Sequence, residues 1–250
     1  MRKFGLIGYP LGHSFSKKYF SEKFIRENIR NCQYENYPLT RIDLLDELIF
    51  KNSDLSGLNV TIPYKSAVLK YLDHIDEQAK SVGAVNVLKL RRNKGKVLLK
   101  GFNSDIDGFR NSISPYLGEG VTNALVLGTG GAAKAVDFVL REFGISITSV
   151  DIIKLEGVLK YSDITDNILI SNQLIVNSTP LGMFPNILTK PDLNYSCLTK
   201  DHILFDLVYN PELTSFLKAG KEQGCTIISG IKMLYGQAER SWEIWNDDNL

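Results

Sequence analysis

The sequence predicts an α/β protein built as two α/β domains. Short apolar runs such as "KFGLIG", "NALVLG", "QLIVNST" and "HILFDLVY" have the length and branched-residue content of strands. Amphipathic stretches with helical spacing stand among them. The alternation starts afresh after "GFNSD", residues 101–105, where a strand and a glycine turn open a second unit.

In order, "KFGLIG" reads as a strand ending in a Gly/Pro turn, and "SKKYFSEKFIRENI" as a helix burying Tyr19, Phe20 and Phe24. "QYENYPL" is a short strand and "RIDLLDELIFKN" a helix. "LSGLNVTIP" is the next strand. Its alternation predicts that Leu58, Val60 and Ile62 pack while Asn59 and Thr61 face an open side, and Pro63 ends the ladder because it has no N–H to give. "YKSAVLKYLD" reads as a helix, and "AVNVLKLRRNKGKVLLKGFNSD" as a hairpin turning at Asn93–Gly95. In the second unit "NALVLG" is a buried strand. "GTGGAAKAVDFVLREFG" is a glycine turn opening a helix that ends at Gly144. "ISITSV", "QLIVNST", "HILFDLVY" and "CTIIS" are further strands. The last helix, "IKMLYGQAERSWEIWN", spaces Leu234, Ala238 and Trp242 by four and is expected to return to the first domain.

The chain has 250 residues, 44% of them hydrophobic, which suits one large domain or two modest ones. Lys plus Arg number 29 and Asp plus Glu 28, a formal charge of +1 that argues against a nucleic-acid partner. Cys32, Cys197 and Cys225 match neither a disulfide framework nor a metal spacing, so a reduced, cytoplasmic setting is expected. His13, His74 and His202 are scattered, and no metal is expected. "MRKFGLIGYPLGHS" does not read as a signal peptide, and no run of about 20 apolar residues is present to span a membrane.

Gly128, Gly130 and Gly131 stand between a strand and a helix in the pattern G-x-G-G-x-x-x-A, ending on Ala135. Such a turn lets backbone approach a pyrophosphate, and the helix start offers free N–H groups and partial positive charge. The ordinary alternative is a turn that only packs helix on strand. The context favours a Rossmann-type dinucleotide-binding domain. Asp151 closes the following strand, where an acid would accept a hydrogen bond from a ribose 2′-OH and repel a 2′-phosphate. It could equally cap a turn. On residue chemistry NAD is favoured over NADP, Lys154 being the nearby cation.

Small polar groups recur at strand ends in the first unit: Ser14 and Ser16, Asn59, Thr61 and Lys65, Asn86, Asn103 and Asp105. Each alone reads as turn chemistry or solvated surface. Together they suit a small polyhydroxylated ligand, with serine hydroxyls as donors to a carboxylate. On the predicted helix after Pro63, Lys65 would face the positive end of the dipole. That would lower its pKa towards acid/base work.

"GYPLGHSFS", "NVTIPYK", "GAVN", "NSDIDGF", "GTGGAAKA", "NSTPLGM", "DLVYNP" and "GQAERSW", in this order, resemble the shikimate dehydrogenase family over essentially the whole chain. The resemblance implies a substrate domain from both chain ends (1–102 plus 233–250), a dinucleotide-binding domain between them (103–232), and a cleft separating the two. It implies NADPH-dependent, reversible reduction of 3-dehydroshikimate to shikimate by a monomer or homodimer. It assigns Ser14, Ser16 and Tyr209 to the substrate carboxylate, and Asn59, Thr61, Asn86 and Gln237 to its edge and hydroxyls. Lys65 and Asp105 form the catalytic pair. Gly128, Gly130, Gly131 and Ala132 hold the pyrophosphate, and Thr179, Met183 and Gly230 line the nicotinamide side.

Three positions depart from the family pattern. Lys17 stands where Pro is frequent, and Asn103-Ser104-Asp105 replaces Asn-Thr-Asp. Where the family carries an Asn/Ser-Arg-Thr motif whose Arg grips the 2′-phosphate, this chain reads Asp151-Ile152-Ile153. NAD is therefore expected as well as, or instead of, NADP. Two rival readings remain: a quinate/shikimate dehydrogenase that accepts NAD, and a non-catalytic dinucleotide-binding sensor.

Overall fold

The computed structural model describes residues 1–11, 15–93 and 95–248, so His13 and Ser14 of the substrate motif, and Lys94 within the hairpin turn, lie outside the described residues. The chain divides into two compact units, residues 1–104 with 238–250 and residues 105–237.

The first unit runs β1 (Arg2–Gly8), α1 (Phe15–Arg26), β2 (Cys32–Pro38), α2 (Leu45–Lys51), β3 (Leu55–Val60), β4 (His74–Ile75), α3 (Glu77–Val82), β5 (Val87–Asn93) and β6 (Lys96–Phe102). Its six-stranded sheet has the order β2-β1-β3-β5-β6-β4. β2, β1 and β3 are parallel, whereas β5 and β6 form the expected antiparallel hairpin beside β3. Both faces are covered, so most central-strand residues are buried whichever way they point. Ile7, Leu58, Val60 and Leu88 pack under α2 with Leu45 and Ile49. Phe4, Leu6 and Val87 face Tyr19, Phe20 and Phe24 of α1 and the C-terminal residues Ala238, Ile244 and Trp245. Rings carry that second layer: Phe4 stacks on Trp245 at 4.7 Å and Phe20 on Tyr34 at 4.7 Å. Trp245 also donates from its indole N–H to the Leu88 carbonyl (3.0 Å). It lies so close to β3 that a Cβ at Gly57 would overlap the indole.

The second unit contains α4 (Asp105–Ile113), β7 (Asn123–Leu127), α5 (Gly131–Glu142), β8 (Ser146–Val150), α6 (Asp166–Ser171), β9 (Leu174–Asn177), β10 (Ile203–Asp206), α7 (Ser215–Glu222) and β11 (Thr226–Ser229). Its five strands are all parallel, in the order β11-β10-β9-β7-β8. Leu125, Leu127, Ile175 and Leu204 pack against α6 and α7 through Leu169, Phe216 and Leu217. Phe205 points the other way and meets Phe109 of α4 edge-on at 5.0 Å. Helices thus cover both faces, and the winding direction reverses between β7 and β9. α8 (Ile231–Asn246) is shared by the two units, the first unit taking it from Ala238 onward. No helix among the described residues is long and apolar enough to cross a membrane.

Four expectations need correction. The stretch from Tyr64 to Asp73 is not an α-helix but a 3₁₀ turn, Ala67–Tyr71. The Lys65 carbonyl accepts from the Val85 N–H (2.7 Å), and Leu69 N–H bonds back only three residues to Ser66. Lys65 therefore precedes a short turn and faces no helix dipole. Second, "RIDLLDELIFKN" is a 3₁₀ turn, Ile42–Leu44, followed by α2. Third, the alternation in "LNVTIP" inverts at two places, since Asn59 is 5% exposed and Ile62 is 70% exposed. β3 ends at Val60, and Ile62 belongs to the loop. Fourth, the α8 stripe that packs on the first unit is Ala238, Ile244 and Trp245, with Trp242 partly buried.

Candidate active site

In the first unit the predicted polar residues gather at the ends of β3, β5 and β6. Asn59 Oδ1 accepts from the Tyr34 hydroxyl (2.8 Å), while its Nδ2 donates to Ser241 Oγ (2.9 Å) and more weakly to the Asn86 carbonyl (3.3 Å). Both amide protons are thus spent inside the protein, so Asn59 fixes its neighbours rather than facing an open side. Ser16 hydrogen-bonds the same Tyr34 hydroxyl, whose pKa burial pushes well up. Asn86 Oδ1 accepts from the backbone N–H of Ser104 (2.7 Å), and its Nδ2 donates to Ser104 Oγ (3.1 Å). Ser104 Oγ in turn lies 3.2 Å from Ser241 Oγ. Ser16, Asn59 and Asn86, separated in sequence, are therefore joined through Tyr34, Ser104 and Ser241. A buried network with its partners filled holds side chains in one arrangement.

Thr61 follows β3, donating its N–H to the Ile7 carbonyl (2.9 Å). Asn103 Nδ2 donates to the Ala84 carbonyl (2.9 Å), fixing the strand end that precedes Asp105. Lys65 is half-buried in the loop after Thr61.

In the second unit Asp105 opens α4 and is buried, with its charge at the favourable end of that helix. Tyr209 is half-buried, and burial raises its pKa. Gln237 Nε2 donates to the Leu234 carbonyl within α8 (3.0 Å).

The glycine turn lies at the carboxyl end of β7, at the point where strand order reverses. In open parallel sheets this is where ligands bind. Gly128 has φ +101°, and a Cβ there would stand 2.9 Å from Ser178 Oγ and 3.2 Å from Thr179 Cγ2. Packing alone therefore demands a glycine at this position. Gly130 is different: a Cβ there would meet nothing within 4 Å. The protein's own packing gives no reason for this glycine, and the space above it suits the close approach of a pyrophosphate. Gly130 caps α5 without a side-chain bond, and the first turn of α5 carries no acid. The amides of Gly131 and Ala132 thus open a helix whose own first turn places no acid at its positive end. These residues fit a dinucleotide.

Thr179 sits just past β9. Its N–H (3.1 Å) and hydroxyl (2.6 Å) both donate to Asn177 Oδ1, and Asn177 Nδ2 donates to Asp206 Oδ1 (2.9 Å). Asp206 also accepts from Thr214 Oγ1 (2.5 Å) and the Val208 N–H (3.0 Å). Met183 is 43% exposed on the following loop. Gly230 is buried, and a Cβ there would overlap the Leu207 carbonyl. This close packing requires a glycine there and is compatible with its backbone lining the nicotinamide side.

Asp151 follows β8. Oδ2 accepts from Thr129 Oγ1 (2.6 Å) and Oδ1 from the Ile153 N–H (3.1 Å). Burial alone would raise its pKa, but the Thr129 hydroxyl and the backbone N–H groups of Ile153, Ile152 and Thr129 outweigh it and hold the carboxyl below its ordinary value. The acid both caps a local turn and reaches the glycine turn. No arginine stands in Asp151-Ile152-Ile153, and both isoleucines are exposed.

Reading the sequence by motif missed Tyr34, and it passed over Thr129 and Ser241 although both stand inside quoted motifs. Ser104 and Asp206 lay inside quoted motifs, yet their roles depend on partners distant in the chain.

Comparison with known proteins places the site in context. The family model described as "Shikimate dehydrogenase substrate binding domain" matches residues 6–88. A shikimate dehydrogenase (NADP(+)) of Methanococcus aeolicus is 37% identical over 96% of this chain and 90% of its own length. Shikimate 5-dehydrogenase of Thermus thermophilus, solved with NADP(H) and shikimate, superposes with a TM-score of 0.84 at 28% identity, covering 98% of this chain and 94% of its own. Quinate dehydrogenase of Corynebacterium glutamicum, solved with NAD, does so with a TM-score of 0.82 at 27% identity, covering 98% and 93%.

Proposed function

Because this chain belongs to the shikimate dehydrogenase family, we propose that it is an oxidoreductase acting on the CH–OH group of shikimate, interconverting shikimate and 3-dehydroshikimate. The observation that carries this reading is the near full-length identity of 37% to a relative of that activity. The buried polar network of the first unit and the glycine turn of the second supply the chemistry the activity needs.

The backbone of Gly128, Gly130, Gly131 and Ala132 would hold a dinucleotide, with Thr179, Met183 and Gly230 on its nicotinamide side, and the group would supply the hydride transfer. Oxidising an alcohol also requires a base for the O–H proton. Lys65 takes that proton as hydride leaves carbon and returns it in the reverse direction. Asp105 orients Lys65 and the substrate. Ser16, with Ser14, Thr61, Asn86, Tyr209 and Gln237, receives the carboxylate and remaining hydroxyls. Asn59, locked between Tyr34 and Ser241, keeps that surface in register. A non-catalytic sensor would need neither Lys65 nor the buried Asp105.

The finer reading concerns the cofactor. The relatives are named for NADP(+), and their family pattern carries an arginine for the 2′-phosphate. Here Asp151 replaces that chemistry with a fixed negative charge. We infer that NAD serves as well as, or instead of, NADP, which also favours quinate as a second substrate. Steady-state oxidation of shikimate and quinate with each cofactor tests this. Shikimate turnover with comparable or better efficiency on NAD is expected, and a strong preference for NADP would refute the cofactor assignment while leaving the reaction in place.

A further inference from the structure

We propose that Thr129, between Gly128 and Gly130, is a specificity-determining positioning residue. Its hydroxyl holds the Asp151 carboxylate at the edge of the glycine turn, so that the carboxylate selects an unphosphorylated adenosine ribose over a 2′-phosphorylated one. This role rests on the dinucleotide reading above and adds the residue that makes Asp151 a discriminator.

If Asp151 only capped its own turn, the bond from the Ile153 N–H to Oδ1 would suffice. The second bond, from Thr129 Oγ1 to Oδ2 at 2.6 Å, does something a local turn does not need. It joins the carboxyl end of β8 to the carboxyl end of β7, the two strand ends that flank the adenosine side in a parallel dinucleotide-binding sheet. The Thr129 hydroxyl has no competing duty at the helix start, because Gly130 is the N-cap and takes no side-chain bond. The Thr129 hydroxyl holds Oδ2 and the Ile153 N–H holds Oδ1, with the Ile152 and Thr129 backbone N–H groups adding to them, so the carboxylate is fixed between the two strand ends. The held acid is ionised at neutral pH, since the same donors keep its pKa below the ordinary carboxylate value against the pull of burial. A phosphate at the ribose 2′ position would bring a further negative charge beside it, with exposed, donor-free Ile152 and Ile153 side chains in place of a guanidinium. Lys154 is exposed on the same loop, two residues before the exposed Glu156.

Thr129→Val keeps the branched shape and the backbone N–H and removes only the hydroxyl. Calorimetric affinities of the unmodified protein, T129V, D151N and the double variant should be measured for ADP-ribose and for 2′-phospho-ADP-ribose. The wild type is expected to bind ADP-ribose at least about tenfold tighter. T129V should reduce that ratio about threefold or more, and should change nothing further when D151N is already present, because the hydroxyl acts only through the carboxylate. An NMR titration should show the Asp151 carboxyl moving up in T129V. An unchanged ratio in T129V, or the same loss with and without Asp151, overturns the role of Thr129 while the cofactor reading stands. A wild type that prefers the 2′-phosphorylated compound overturns the cofactor reading, and the Thr129 role falls with it.

Discussion

Asp206 is wholly buried at the end of β10, and burial pushes its pKa up to about 6 although Thr214, the Val208 N–H and Asn177 all donate to it. The folded protein therefore holds this proton more tightly than the unfolded chain, where the value is 3.8. The stability it contributes is full below pH 3.8 and is lost as pH rises through about 6. About two pKa units correspond to roughly 3 kcal/mol. The unfolding free energy of wild type minus that of D206N should fall by that order between pH 4 and 7 in denaturant titrations. A flat difference would show that Asp206 is not buried as described. At Lys65, K65M should leave shikimate binding largely intact and reduce turnover by about 10²-fold or more. Unchanged turnover would exclude Lys65 as the proton carrier. Lys65 and Asp105 stand out in the sequence as candidates because they sit in compact motifs. The locking of Asn59 does not, because its partners Tyr34 and Ser241 lie 25 and 182 positions away.

Among the elements, the misread segment after Pro63 is instructive. Its apolar spacing suits a helix, but the Lys65 carbonyl is taken by Val85, a residue from a different part of the sheet. A tertiary hydrogen bond overrides local periodicity there. Four helices, α3, α4, α6 and α7, went unread, though α3, α6 and α7 each begin at a side-chain cap, Asp76, Thr165 or Thr214, that accepts from a backbone N–H two or three residues on. Capping signals were present in the sequence, and helices of six to eight residues show too little periodicity to stand out. Gly57 is a case where only packing explains the residue. G57A would drive a methyl into the Trp245 indole, so a loss of about 1–3 kcal/mol in thermal or denaturant unfolding is expected. An unaltered midpoint would mean the ring has room to move. Far-UV circular dichroism should stay native, since β3 itself is not broken.

For the whole molecule, the alternation of strands and helices disclosed two α/β units, and the glycine turn disclosed which one holds the dinucleotide. Strand order was not readable. That β7 is flanked by β8 and β9, placing the reversal at Gly128 and Thr179, follows from crossover connections and from which faces the helices cover. Nor could sequence show that Gly130 is free of packing demands while Gly128 is bound by them. That contrast is the physical sign that the turn is shaped for a ligand and not only for its own chain. The account's central claim is tested most directly by following reduced nicotinamide as the purified protein is given shikimate with NADP or with NAD. Steady turnover of shikimate, with NAD at least comparable to NADP and turnover nearly lost in K65M, is the predicted result. Absence of shikimate oxidation with either cofactor would contradict it.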